Sequence, residues 1–320
     1  MISDTIKNVL VVQYSQTGQL TAVTERILAP LWAEARIAVQ VQVLTPIKAF
    51  PFPWRFFAFL DAFPESAHLV APALAPLALT GDEDFDLVIL PYQVWFLAPS
   101  QPVTAFLKHP VARRVLRGKP VVTVIACRNM WLTAQEKLKA LLTVAGARLI
   151  DNVVLTDPSP ALATFITTPR WLLSGNKAAF WGLPAAGLSE AQILGARRFG
   201  LALRDGLLND LEKKPQPMLT GLGAAPVDPR LYVSERAGTH SFFVWGKWLL
   251  AVGPAGSWRR FPLLALYAVF LVAMIVTVVP ASLALQALLR PWVSHRLADI
   301  KARFEQPSGS STDRMRLYAD

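Results

Sequence analysis

Residues 8–20, N-V-L-V-V-Q-Y-S-Q-T-G-Q-L, constrain the fold more than any other stretch of this chain. Val9, Leu10, Val11 and Val12 form an apolar run the size of one strand buried on both faces. Ser15, Gln16, Thr17, Gly18 and Gln19 follow at once, and a helical pattern starts at Leu20. A strand, a tight polar loop and a helix start make a place for an anion. The first N–H groups of a helix have no internal partner, and its dipole favours negative charge there. Ser15 and Thr17 add hydroxyls, and Gly18 lets backbone come close to a phosphate. The loop has no Lys, so it is not a nucleoside-triphosphate P-loop, and it lacks the G-x-G-x-x-G of dinucleotide folds. The bland alternative is a polar turn between strand and helix.

The same alternation continues along the chain. Residues 20–35 read as a helix with Leu20, Val23, Ile27, Leu28 and Leu31 on one face, which Pro30 kinks or ends. Val39, Val41, Val43 and Leu44 suggest a second strand. Residues 86–90, D-L-V-I-L, give a third; Tyr92, Gln93, Val94, Trp95 and Phe96 follow it, and then a helix near 102–108. Residues 119–126 form a fourth, ending in Cys127, Arg128 and Asn129, with a helix over 133–144. Residues 149–156 give the fifth strand and 189–208 the last helix. This pattern predicts an α/β fold with a doubly wound five-stranded parallel sheet. Ligands of such sheets bind at the carboxyl ends of the strands, at the switch point.

These loops resemble those of the flavodoxin-like superfamily. Residues 15–20 are similar to its phosphate loop, S/T-x-T-G-x-T, with Leu20 in place of the last Thr. The second segment is similar to D-x-x-I-L-x-x-P-x-W/Y followed by P-x-x-x-F-L. It keeps Trp95, Pro99, Pro102, Phe106 and Leu107, with Gln93 where Pro is common. The resemblance covers residues 8–208 and implies FMN as cofactor. It implies that Ser15, Gln16, Thr17, Gly18, Gln19 and Leu20 hold the phosphate. It places Tyr92, Gln93, Val94, Trp95 and Phe96, with Cys127, Arg128 and Asn129, around the flavin ring, and Trp131 near it. Asn129 is expected at the pyrimidine edge, and Arg128 is the candidate catalytic residue. Cys127 reads as a small buried residue rather than a nucleophile, because no His stands in a supporting position.

Net charge of +10 suggests anionic partners, either nucleic acid or a membrane surface. A hydrophobic content of 53% tilts the choice to membrane lipid, with no nucleic acid. One cysteine allows no intrachain disulfide, and the four histidines lack ligand spacing, so no metal is expected. The first apolar run is only a strand long, so no signal peptide is expected and the N-terminal part is placed in the cytoplasm.

Residues 261–289 carry no charge and exceed the roughly 20 residues that cross a bilayer. Trp258, Arg259 and Arg260 before the run, and Arg290, Trp292 and Arg296 after it, read as interface anchors. The segment is a transmembrane span or, divided at Pro280, a re-entrant hairpin. It would hold the protein on the cytoplasmic face of the inner membrane. Two insertions interrupt the α/β pattern, the aromatic 46–80 and 158–187. Phe56, Phe57 and Trp171 are expected at a substrate entrance, and 158–187 as a lid. Residues 209–260 read as a linker and a short amphipathic region, and 290–320 as a basic, partly disordered tail.

The whole layout also resembles the dialkylresorcinol condensing enzyme and aromatase group of flavodoxin-like proteins, through segments such as C-R-N-M-W at 127–131 and T-T-P-R-W at 167–171. That resemblance implies an apolar ring or lipid-like small-molecule substrate, a dialkyl cyclohexanedione oxidised to a dialkylresorcinol, and a ketosynthase partner. Two readings stay open beside it. One is an NAD(P)H-dependent quinone reductase. The other is a non-catalytic, membrane-tethered electron-transfer or scaffold partner of a lipid-synthesis complex.

Overall fold

A computed structural model describes residues 6–288 and 290–318. Leu289 and the side chains of residues 279, 282, 283, 285–288 and 290–293 lie outside the description, and with them the expected anchors Arg290 and Trp292. The N-terminal half runs β1 (Lys7–Gln13), α1 (Gln19–Trp32), β2 (Ile37–Val43), α2 (Phe56–Asp61), α3 (Phe63–Ala67), β3 (Leu87–Tyr92), β4 (Val94–Trp95), β5 (Ala98–Pro99), α4 (Gln101–Lys108) and α5 (Pro110–Leu116). Next come β6 (Pro120–Cys127), α6 (Leu132–Val144), β7 (Arg148–Thr156), α7 (Ala161–Ser174), α8 (Glu190–Gly195) and α9 (Arg197–Leu208). The C-terminal part holds α10 (Tyr232–Val252), α11 (Phe261–Leu288) and α12 (Arg290–Glu305).

Five strands form one parallel sheet in the order β2-β1-β3-β6-β7, and β4 and β5 make a separate two-stranded ribbon. Counting only the main sheet, the order is 2-1-3-4-5, the flavodoxin-like arrangement with its switch point between β1 and β3. β3 lies at the centre and is buried at every position, as an apolar strand covered on both faces must be. Successive residues of β1 feed opposite faces. Val9 and Val11 pack under α1 and α9, while Leu10 and Val12 pack under α4 and α6. The α1–α9 approach is close enough to require Gly200, where a Cβ would stand 1.9 Å from the Ile27 carbonyl oxygen.

Three local expectations change. Pro30 does not end α1, which continues to Trp32. Proline there removes one hydrogen bond near the last turn, and Pro30 itself is buried. The last helix divides at Ala196 into α8 and α9, and Ser189 caps α8 by accepting from the Gln192 N–H at 3.2 Å. Pro280 stands inside α11, which runs through it as one helix.

The C-terminal third is not a linker followed by a loose tail. Met218 and Leu219 donate their N–H groups to the Asp151 carboxylate at 2.8 and 3.1 Å, and Leu219 and Leu222 are fully buried. The Ser308 hydroxyl donates to the same carboxylate at 2.7 Å and accepts from the Asn152 N–H at 2.7 Å. The tail, expected to be partly disordered, is therefore held on the domain, Ser308 on strand β7 and Gly309, Ser311 and Arg314 on residues 218–225. The cause is Asp151, a carboxyl with no exposure that needs donors from outside its own strand. Burial pushes its pKa up to about 6 against those hydrogen bonds.

Candidate functional site

The site is built at the carboxyl ends of β1, β3, β6 and β7. After β1 the chain turns through Ser15, Gln16 and Thr17 to Gly18, which precedes α1 with a φ of 78°. A Cβ on Gly18 would meet no atom within 4 Å, so this side of the loop is open. No side chain caps α1 among the described residues, and its first turn holds no acidic residue. Its first amides are left to whatever enters the loop. The buried Ser15 hydroxyl and the Gln19 side-chain nitrogen are also without partners in the structure. Gln16 is held aside, its Nε2 donating to the Pro51 carbonyl at 2.8 Å.

After β3 the chain forms the β4–β5 ribbon. Phe96 and Leu97 take φ values of 50° and 57° at its tip, the two positive angles of a type I′ turn. Neither is Gly, Asn or Asp, so the turn is strained and must be held from outside. The holder is α10. Phe96 packs on Phe59 and Phe242 at 4.8 and 5.6 Å between ring centroids. Leu97 rests against Gly238, where a Cβ would stand 3.0 Å from its Cδ1.

After β6, Cys127 and Arg128 reach the same space. The Arg128 guanidinium lies 4.0 Å above the Phe165 ring, and its Nε donates to Asn129 Oδ1 at 3.2 Å. Among the described residues it forms no ion pair with a carboxylate. Burial pulls its pKa down to about 10, opposed by the Asp157 carboxylate, so it stays charged at neutral pH. Burial pushes the Cys127 thiol well up, so it stays neutral there. Tyr14, at the end of β1, is raised to about 12 by burial.

A cavity of about 160 Å³ opens between these loops. Its floor is Gln16, Thr17, Gln19 and Leu20; its walls are Gln93, Val94, Trp95 and Phe96 on one side and Ala126, Cys127, Arg128 and Asp157 on the other. The two insertions form the roof. Trp54 and Phe59 come from the first, and Thr168, Trp171 and Leu172 from the second. Trp95 stands edge-on to Tyr14, Phe50 and Trp54, with centroids 5.9, 4.9 and 5.9 Å away.

Most expected residues meet here, and some do not. Tyr92 faces the core: it is fully buried, its hydroxyl donating to Gln135 at 2.7 Å. Strand alternation turns its side chain away from the cavity while Gln93 turns toward it. Trp131 is buried in the same core cluster. Ser15, Gly18 and Asn129 are not among the residues that line the cavity. Phe56 packs on Phe57, which meets Phe261 at 4.5 Å beside a second groove, away from the cavity. Trp171 does line the cavity. Asp157 lines the cavity as well, outside the residues expected from the sequence. It follows the fifth strand directly, so the rule that selected the other three loops points to it as well. It orders the roof by accepting from the N–H groups of Ser159 and Gly187 at 2.9 and 2.7 Å.

Neither a family model nor a curated protein matches the chain. Solved structures similar to it include a flavoprotein from Lactobacillus acidophilus NCFM in complex with FMN, at 13% identity over 47% of this chain and 93% of that one, with a TM-score of 0.37. A flavodoxin from the domain Archaea is 10% identical over 63% of this chain and 99% of that one, with a TM-score of 0.34. A flavone reductase is 12% identical over 66% of each chain, with a TM-score of 0.36.

Proposed function

We propose that the protein is a membrane-attached, FMN-dependent oxidoreductase acting on an apolar ring or lipid-like substrate. The observation that carries this reading is the pairing of an uncapped helix start with an aromatic-walled cavity at the sheet's switch point. The residues present fit FMN. The Ser15 hydroxyl, the Gln19 amide and the first amides of α1 supply unpaired donors for a phosphate. Trp95 supplies an apolar flank for a ring, and Gln93 Oε1, buried and without a partner, supplies an acceptor for a ring N–H. FMN, when bound, accepts or gives a hydride.

The chain's own residues do the rest. Arg128 offers a fixed positive charge to an enolate or to an electron-rich ring edge. The Cys127 thiol, held neutral, adds no competing negative charge. Trp54, Trp95 and Trp171 exclude water and strengthen the Arg128 field by lowering the local dielectric constant.

Two features support a lipid-like substrate. Residues Trp258–Val278 are long and apolar enough to cross a membrane. At the root of that helix a groove of about 530 Å³ is bounded by Phe57, Phe261 and Leu264, and it shares Trp54 with the cavity. An alkyl chain in the groove would leave its ring at the Trp54 partition. Within this class we favour oxidation of a dialkyl cyclohexanedione to a dialkylresorcinol. Anaerobic mixing of the flavin-loaded enzyme with a dialkyl cyclohexane-1,3-dione is the test. Bleaching of the flavin band with a resorcinol product supports the reading. Absence of bleaching, with rapid NAD(P)H-driven turnover of a quinone, replaces it with a quinone reductase. Absence of both leaves an electron-transfer or scaffold partner.

A further inference from the structure

From the path of the chain after its apolar helix, we infer that α11 and α12 dip into one leaflet of the bilayer and return on the side they entered, so that both chain ends face the same compartment. The inference rests on the membrane attachment proposed above and replaces both a full span and a hairpin divided at Pro280, which α11 runs through as one helix.

The apolar segment leaves the domain from a fixed root. Leu264 and Tyr267, 4% and 0% exposed, pack with Phe63 and Leu249. Arg260 locks this root, its guanidinium pairing with Asp61 at 3.0 Å and Glu65 at 2.8 Å. Further along, Val269, Val272 and Val276 are exposed. A helix of 28 residues is about 42 Å long, enough to reach through a hydrocarbon core of about 30 Å.

The segment nevertheless comes back. Phe304, at the far end of α12, is 1% exposed and packs on Tyr232 at 5.2 Å. Arg303 reaches Glu136 on α6 at 2.6 Å. Beyond it, Ser308 meets Asp151 on the central domain, Ala225 donates to the Gly309 carbonyl at 2.9 Å, and Arg314 donates to the Met218 and Thr220 carbonyls. These contacts run from Arg303 to Arg314 and include a buried carboxylate, so the tail's place on the domain is built in.

A bitopic α11 cannot meet this condition. Between Leu288 and Phe304 only α12 is available to cross back. It has 16 residues, about 24 Å of helix, less than the hydrocarbon thickness. It also carries Arg290, Arg296, Asp299, Lys301, Arg303 and Glu305, charges that are costly at a bilayer centre. Basic residues at both ends of the apolar run are what one-sided entry and exit require.

The test uses the full chain with one epitope at each end, added to preformed vesicles of phosphatidylethanolamine and phosphatidylglycerol. The vesicles are washed with carbonate, floated and treated outside with protease. The expected result is flotation with complete loss of both epitopes. Flotation with the C-terminal epitope protected until detergent is added overturns the one-leaflet topology and leaves membrane attachment standing. Release by carbonate overturns both.

Discussion

The backbone N–H of Trp54 donates to the carbonyl of Leu172 at 2.8 Å, joining two insertions that lie more than a hundred residues apart in sequence. Phe52 meets Trp171 edge-on at 6.4 Å beside this bond. The roof of the cavity is therefore one structure made of two segments, and its aromatic residues are expected to meet substrate. Trp171→Leu is expected to raise KM for an apolar substrate about tenfold, equivalent to about 1.4 kcal/mol of lost binding, with flavin occupancy unchanged. Titration of flavin and steady-state kinetics on the same preparation separate the two. Equal losses of both would place Trp171 in the cofactor site.

Arg128 stacks on Phe165 and has no carboxylate partner among the described residues, so its charge is free to act in the cavity it lines. Arg128→Met removes a charged hydrogen-bond donor whose contribution is about 1.5–3 kcal/mol. The two-electron midpoint potential of the bound flavin should then fall by about 30 mV or more. Dye-equilibrated reductive titration reads the potential. An unchanged value would mean that the guanidinium faces only Phe165.

Glu235 sits with no exposure at the start of α6, accepting from the Thr133 N–H at 2.9 Å, while its other oxygen has no partner. Burial raises its pKa from 4.5 to about 7. Between these values the folded state holds the proton that the unfolded state has released. Its contribution is fully present below pH 4.5 and is lost as pH rises through 7. Thermal scans from pH 5 to 8 should show the wild type losing stability relative to Glu235→Gln, by up to about 3 kcal/mol. Parallel curves would remove Glu235 as the source.

Ser308→Ala takes a donor from Asp151 and an acceptor from Asn152 in one change. Loss of about 1–3 kcal/mol is expected, seen as a fall of a few degrees in melting temperature. A melting temperature equal to the wild type's would detach the tail from the domain.

The fold was legible because the strand runs are apolar and the loops between them polar. Val9 to Val12 and the D-L-V-I-L run each declare a strand buried on both faces, and the strand order follows from connection rules. The three loops at the cavity were legible for the same reason. Individual directions were not. Tyr92 and Gln93 are neighbours on opposite faces, and only strand register decides which one meets the site. Nor was the role of α10 visible. Glu235, Gly238 and Phe242 support the α6 start, Leu97 and Phe96 respectively, contacts across more than a hundred residues that no local pattern encodes. A boundary at residue 208 looks natural in the sequence, yet cutting there would strip Asp151 of its donors and the cavity ribbon of its support.

The central claim is that residues 15–20 hold the phosphate of FMN. The direct measurement is the absorption spectrum of the full chain purified in detergent, with chromatographic identification of the released cofactor, for the wild type and Gly18→Val. Valine at a φ of 78° is strained by about 1–2 kcal/mol, and its side chain fills the open side of the loop. The account predicts about one FMN per wild-type chain and an affinity at least tenfold weaker in the variant. FAD in place of FMN, no flavin at all, or full occupancy of the Gly18→Val protein would contradict it.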